Sequence, residues 1–247
     1  MRQADVVAIG DWIAGQEKVS RKELEDYLLS KGMKRSYLSI AIKRLCDNEI
    51  CFEQKDGVYF SMGGRKRYKS SELEPTLENH LLSFKIPVVL CPVSGYELNR
   101  FLPLQSFKPR LIIYAPKIVH DELAAFLSSK GYSPLILRKR DFSYINEKTV
   151  FLSGLHWRTP VDRKGKRLYI GKDEPLICGP TLEKILIDSL AGDFLCDDAM
   201  IEELFRTALS NYAYNASIMK RYAKDRSKED RLRRVIFKCG LDEVFYD

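Results

Sequence analysis

The apolar residues of the first sixty positions change their period once, and that change restricts the fold more than any other feature. Val6, Ile9, Gly10 and Ile13 recur at i, i+3, i+4 and i+7 within residues 4–16, one face of an α-helix. Ser20-Arg21-Lys22-Glu23 has the form of a capping box, in which Ser20 accepts from the amide at Glu23 and Glu23 reaches back to the amide of Ser20. Leu24, Tyr27 and Leu28 continue that helix on one face, and Gly32 stops it. A third helix, from Lys34 or Ser36 to Asp47, has the stripe Leu38, Ala41, Ile42 and Leu45. The period then drops to that of strands. Residues 50–53 and 58–61 flank Asp56-Gly57, a strong hairpin signal. Three helices followed by a hairpin is the order of a winged helix-turn-helix.

The outward face of the third helix carries Ser36, Ile40, Lys43 and Asp47, flanked by Tyr37, Ser39 and Arg44. Between Lys31 and Arg44 there are five basic residues and no acidic one. The chain as a whole has a formal net charge of +7 and a pI near 9.0. A short helix of this kind fits a major groove about 12 Å wide. Lys34, Arg35, Lys43 and Arg44 are expected on phosphates, and Ser36, Tyr37, Ser39 and Ile40 at base edges. Lys55 at the hairpin tip and Arg65, Lys66 and Arg67, in a flexible basic stretch containing Tyr68, are expected to reach backbone or minor groove. Double-stranded DNA is therefore the expected partner. The alternative is a winged helix used for protein contacts, its basic face merely solvated.

After residue 69 the chain reads differently. A linking helix over residues 70–85 precedes alternating strands (87–92, 110–115, 134–138, 150–152, 167–170) and helices (94–102, 117–129). From about residue 179 the pattern is helical: 180–191, 198–212, and one long basic helix over 215–239. The expected fold class is α/β (α+β overall). A winged helix-turn-helix over 1–69 is followed by an α/β domain over 70–247 with a helical C-terminal end.

Other classes are disfavoured. No apolar run nears the roughly 18 residues of a membrane span, and the N-terminus has no signal-peptide centre, so a cytoplasmic protein is expected. The six cysteines are scattered and read as buried free thiols, and the three histidines lack metal-ligand spacing. There is no phosphate-binding glycine loop and no nucleophile elbow, so no cofactor and no enzymatic activity are expected. The rival is a DNA-targeted metal-dependent nuclease using Asp141 and Asp162-Arg163-Lys164, but residues 162–166, with Gly165 and many charges, read better as a hairpin tip.

The string Gly179-Pro180-Thr181-Leu182-Glu183-Lys184-Ile185-Leu186-Ile187-Asp188 resembles the signature helix of the AbiE-type (AbiEi-like) antitoxin and transcriptional regulator family of bacterial abortive-infection loci. Leu209-Ser210-Asn211-Tyr212, residues 218–223, and residues 94–101 with 111–114 also resemble members of it. The resemblance implies a repressor of its own operon that binds inverted repeats and counteracts a nucleotidyltransferase-like toxin. It marks Thr181, Glu183, Lys184 and Asp188 as signature residues. The same residues have a structural reading: Lys184 and Asp188 pair at i, i+4 while Leu182, Ile185 and Leu186 fill a core. The basic last helix departs from the family, either as a second nucleic-acid surface or as a solvated face.

Overall fold

Local signals in the sequence become elements in the order expected. The computed structural model describes residues 3–16, 18–102, 111–137, 146–162, 174–194 and 196–241, without the side chains of residues 3–5 and 55. Helix α1 (Gln3–Ala14) turns Ile9 and Ile13 inward. After β1 (Val19–Ser20), Ser20 caps α2 (Arg21–Ser30). Its Oγ accepts from the Glu23 amide at 3.2 Å, and the Glu23 carboxylate accepts from the Ser20 amide at 2.7 Å. Two otherwise orphaned amides are thus satisfied reciprocally. The chain leaves α2 through Gly32 at φ +83°, and the Met33 amide donates back to the Leu28 carbonyl at 3.1 Å. A 3-10 turn, Arg35–Tyr37, leads into α3 (Leu38–Asp47), which buries Leu38, Ala41, Ile42 and Leu45. Strands β2 (Cys51–Lys55) and β3 (Val58–Ser61) form the hairpin, with Gly57 at φ +70°. β1 adds to it antiparallel, in the order β1-β3-β2.

The middle of the chain builds a five-stranded mixed sheet. Pro75 opens α4 (Pro75–Leu82), and the Glu74 carboxylate accepts from the Thr76 and Leu77 amides. β4 (Val89–Ser94) ends at Ser94, which caps a 3-10 segment, Gly95–Arg100. Then come β5 (Leu111–Ala115), α5 (His120–Ser129), β6 (Ser133–Ile136), β7 (Thr149–Gly154), β8 (Val161–Asp162), β9 (Leu176–Ile177) and β10 (Gly179–Pro180). The sheet order is β6-β7-β5-β4-β9; β4 and β5 are antiparallel and the other neighbours parallel. β8 and β10 pair separately. Leu90, Ile113 and Leu152 pack with residues of α4 and α5, whereas Cys91, Ile112, Tyr114 and Phe151 face the C-terminal helices. Cover on both faces explains why these strands are continuous apolar runs rather than alternating ones.

The helical end consists of α6 (Leu182–Ala191), α7 (Asp198–Asn211), α8 (Ala216–Asp225) and α9 (Glu229–Lys238). α6 is buried along its whole length, polar residues included. The class is therefore mixed α/β with a helical C-terminal end.

Several expectations need correction. The long basic helix over 215–239 is two helices, broken at Ser227, which sits at φ +53°. Between Ala223 and Leu232 no residue is apolar, so a continuous helix would have turned polar residues onto its buried stripe. The linking helix starts at Pro75 rather than residue 70, and the short helix expected over 94–102 is a 3-10 segment, Gly95–Arg100. The stretch holding Arg65, Lys66 and Arg67 is not a free arm. The Lys66 amide donates to the Asn211 carbonyl at 2.8 Å, and the Ala213 amide donates to the Lys66 carbonyl at 2.9 Å. Tyr68 is buried, donating its hydroxyl to Glu97 at 2.6 Å. The strand expected over 167–170, and Asp141, Arg163 and Lys164 of the nuclease reading, lie outside the described residues.

The left-handed conformation at Ser227 favours glycine. Ser227→Gly is expected to stabilise the protein by about 0.5–1 kcal/mol. The readout is a higher urea midpoint at unchanged m-value; an equal or lower midpoint would count against the assigned break.

Candidate nucleic-acid interface

The amphipathic pattern of α3 decides what faces out. With Leu38, Ala41, Ile42 and Leu45 turned into the core, Lys34, Arg35, Ser36, Tyr37, Ser39, Ile40, Lys43 and Arg44 are all exposed, as is Lys31 at the end of α2. Tyr37 and Ile40 are about half exposed, at 57% and 49%, unusual for residues of their size. The helix is roughly 15 Å long at 1.5 Å per residue, a length that a groove accommodates. Its face joins cations, hydroxyls and two apolar side chains, the mixture that contacts phosphates and base edges.

Arg21 belongs to this surface and was not anticipated. Its guanidinium donates to Ser39 Oγ at 3.2 Å and to Glu25 at 2.9 Å. The hydrogen bond to Glu25 holds the guanidinium even more firmly protonated. Ser39 is thus partly engaged within the protein. Arg21 sits beside a cap residue, and nothing in its local pattern points across to α3.

The hairpin and the basic stretch behave differently. The Asp56 amide donates to Ser217 Oγ at 3.1 Å, and Asn215 Nδ2 donates to the Glu53 carbonyl at 2.9 Å, so the hairpin is docked on the start of α8. The Lys55 side chain lies outside the described residues. Arg65 donates to the Leu209 carbonyl at 3.4 Å and covers the Phe52 ring. Arg67 lies 3.8 Å from Asp47. Of these basic side chains Lys66 is exposed, and Arg65 and Arg67 are turned toward protein partners.

The signature residues form a separate, interior arrangement. Thr181 caps α6, its Oγ1 accepting from the Lys184 amide at 3.3 Å. Lys184 and Asp188, both fully buried, form an ion pair. The Lys184 ammonium also lies 3.1 Å from the Tyr114 ring centroid. Asp188 accepts from the Tyr222 hydroxyl at 2.7 Å and pairs with Arg226 at 3.1 Å. Arg226 continues to Asp193 at 2.9 Å, and Asp193 accepts from the Tyr114 hydroxyl at 2.9 Å. Burial, with Asp188 adding to it, raises the Asp193 carboxyl above the usual range, and Arg226 opposes that rise. Glu183, also buried, accepts from the Asn215 amide at 2.8 Å, and burial raises its carboxyl as well. Thr181 and Glu183 reach a cavity of about 550 Å³ between α6 and the hairpin, which Cys46, Cys51, Arg67 and Asn215 also line.

Several cations of the basic C-terminal helices are engaged by protein partners. Arg226 is in the buried cluster, Arg231 donates to the Leu190 carbonyl at 2.7 Å and to Asp198 at 2.6 Å, and Lys238 pairs with Glu202. Arg221, Lys224 and Arg234 remain exposed. Among the described residues, no group of three or more His, Cys, Asp or Glu could hold a metal ion. Nor is any helix among them long and apolar enough to cross a membrane.

A family model described as a family of unknown function (DUF6577) matches residues 37–240. The chain belongs to this family. The DUF6577 match opens at Tyr37, just before α3, and closes at Gly240, just past α9. It takes in the hairpin, the sheet and the whole buried cluster. No curated protein matches the chain.

Two predictions follow from the interior. Lys184→Met leaves two buried carboxylates with one cation between them, and is expected to cost about 3 kcal/mol or more in a urea melt. Because burial raises the folded-state value of Glu183, wild type loses stability as pH climbs from the ordinary carboxylate range to that raised value. Glu183→Gln keeps an acceptor for the Asn215 amide and removes that loss. The variant's stability relative to wild type should therefore rise as pH climbs above the ordinary carboxylate range. A pH-independent difference would mean that Glu183 titrates normally.

Proposed function

We propose that the protein is a cytoplasmic bacterial transcriptional regulator whose α1–β3 unit, residues 1–69, acts as a winged helix-turn-helix on double-stranded DNA. The observation that carries this reading is the exposed face of α3 and its approach. It holds five cations, no carboxylate between Lys31 and Arg44, and small or apolar groups among them. Lys31, Lys34, Arg35, Lys43 and Arg44 neutralise phosphates, and Ser36, Tyr37 and Ile40 read base edges. The net charge of +7 favours the same partner. The docked hairpin leaves α3 as the main reader.

The resemblance of residues 179–188 to AbiEi-like antitoxins supports a narrower role, as the self-repressing antitoxin of a locus with a nucleotidyltransferase-like toxin. In this role the signature residues Glu183, Lys184 and Asp188 act by holding the core, since they are buried rather than presented, and half-buried Thr181 acts by capping α6. A second reading has α3 contacting a protein, favoured by the exposure of Tyr37 and Ile40.

Binding of the full chain to its own upstream DNA and to a scrambled fragment separates these readings. With about five phosphate contacts, affinity should fall roughly a hundredfold or more between about 50 and 200 mM salt. Lys43→Ala should weaken binding to both fragments and reduce the magnitude of the salt slope by about 1, with an unchanged thermal melt. Salt-insensitive binding, or an unaltered slope in the variant, would move α3 to the protein-contact reading.

A further inference from the structure

Two cysteines meet where α3 hands over to β2. α3 ends with the Ile50 amide donating to the Leu45 carbonyl at 3.0 Å, and Glu49 takes φ +59° to reverse the chain. This reversal brings Cys46, in the last turn of the helix, against Cys51, the first residue of the strand. Their Sγ atoms are 3.8 Å apart. A disulfide needs about 2.05 Å, a closure within reach of side-chain rotation and small backbone movement. Both residues line the cavity of about 550 Å³, which brings small solutes close to the pair. Cys46 is half-buried and Cys51 buried.

We propose that Cys46 and Cys51 form an oxidation site, which a hydroperoxide converts to a reversible intrachain disulfide with Cys46 as the attacking thiol. The hydrogen bond from Cys51 favours the Cys46 thiolate, against the effect of burial, and Arg67 adds to it. At the other half-buried thiols burial wins: it pushes Cys196 up to about 11 despite Ser189 and Arg231, and it raises Cys239 despite Arg206. Deeply buried Cys91 is pushed up to about 12. The Cys46 thiolate attacks one peroxide oxygen, the O–O bond breaks, and water leaves as the other oxygen takes up a proton. Cys46 is then a sulfenic acid. The Cys51 thiol attacks that sulfur, the S–O bond breaks, and a second water leaves with the Cys51 proton. Two thiols have been oxidised by two electrons and one peroxide reduced to two waters. A thiol reductant reverses the bond by exchange. The chemistry is independent of what α3 binds.

The test uses the native full chain and hydrogen peroxide near stoichiometric amounts, followed by alkylation in denaturant and non-reducing tryptic mass mapping. Cleavage after Arg44 and Lys55 puts both cysteines in one peptide, residues 45–55. The expected product is that peptide lacking two hydrogens and refusing alkylation, restored by dithiothreitol, while Cys196 and Cys239 are still alkylated. Cys51→Ser should accumulate a sulfenic acid at Cys46 that dimedone traps, and Cys46→Ser should leave Cys51 alkylatable. Oxidation of Cys196 or Cys239 ahead of this pair would overturn the site. So would loss of Cys46 directly to sulfinic acid in wild type. Oxidation of Cys51 at the wild-type rate in Cys46→Ser would overturn the assigned nucleophile. The wild-type map stands without the variants, should either fail to fold.

Discussion

The C-terminal half of the molecule is organised around one buried charge cluster. Lys184, Asp188, Asp193 and Arg226 are two cations and two anions, joined by the hydroxyls of Tyr114 and Tyr222. Isolated, any one of these charges would cost several kcal/mol to bury; together they compensate only in one geometry. That geometry ties β5 through Tyr114 to α6, to the turn after α6 through Asp193, and to α8 through Tyr222 and Arg226. It also bears on the helix break at Ser227. Arg226 caps the end of α8 while its side chain turns inward, and the backbone reverses one residue later before α9 begins. The cluster contributes less through net stability than by excluding other arrangements of α6 and α8.

From α6, the helix that carries two members of the cluster, a chain of polar contacts runs to the N-terminal unit. Asn215 carries it. Its amide donates to Glu183 on α6, its Nδ2 donates to the Glu53 carbonyl on β2, and its Oδ1 accepts from the Ile218 amide to cap α8. One residue thus satisfies a helix start while joining the hairpin to the buried helix. The Lys66 backbone adds a second tether on the segment after α7. The α3 surface is accordingly held on a platform fixed from two sides. A helix read by a rigid partner gains from this, because less side-chain and loop ordering remains to be done on binding.

Much of this was legible locally, and the parts that were not share a cause. The stripes of α2 and α3, the capping box and the Asp56-Gly57 turn each depend on residues within a few positions of one another. Their geometry follows from sequence spacing. The i, i+4 pairing of Lys184 with Asp188 was readable for the same reason. Its partners Tyr114 and Arg226 were not, because they arrive from a different strand and a different helix. Strands β1, β8, β9 and β10 are two residues long and too short to show a period. The stretch around Lys66 looked like a free arm because glycines and cations mark solvated chain. Its pairing with residues 211 and 213 is a nonlocal fact.

Arg67 shows how a residue chosen for one role can serve the same surface by another. Expected on phosphate, it sits instead 3.8 Å from Asp47 in the last turn of α3. Both side chains are about a third or more exposed, so the pair contributes at most about 1 kcal/mol to stability. Its effect on the surface potential is of another kind. Asp47 places a carboxylate at the negative end of the helix dipole, on the edge of an otherwise cationic face. Left alone, it would weaken the positive potential that Lys43 and Arg44 set up beside it. Arg67 cancels that charge close to its source, within a Debye length of about 8–10 Å. The positive field of α3 then extends to the end of the helix.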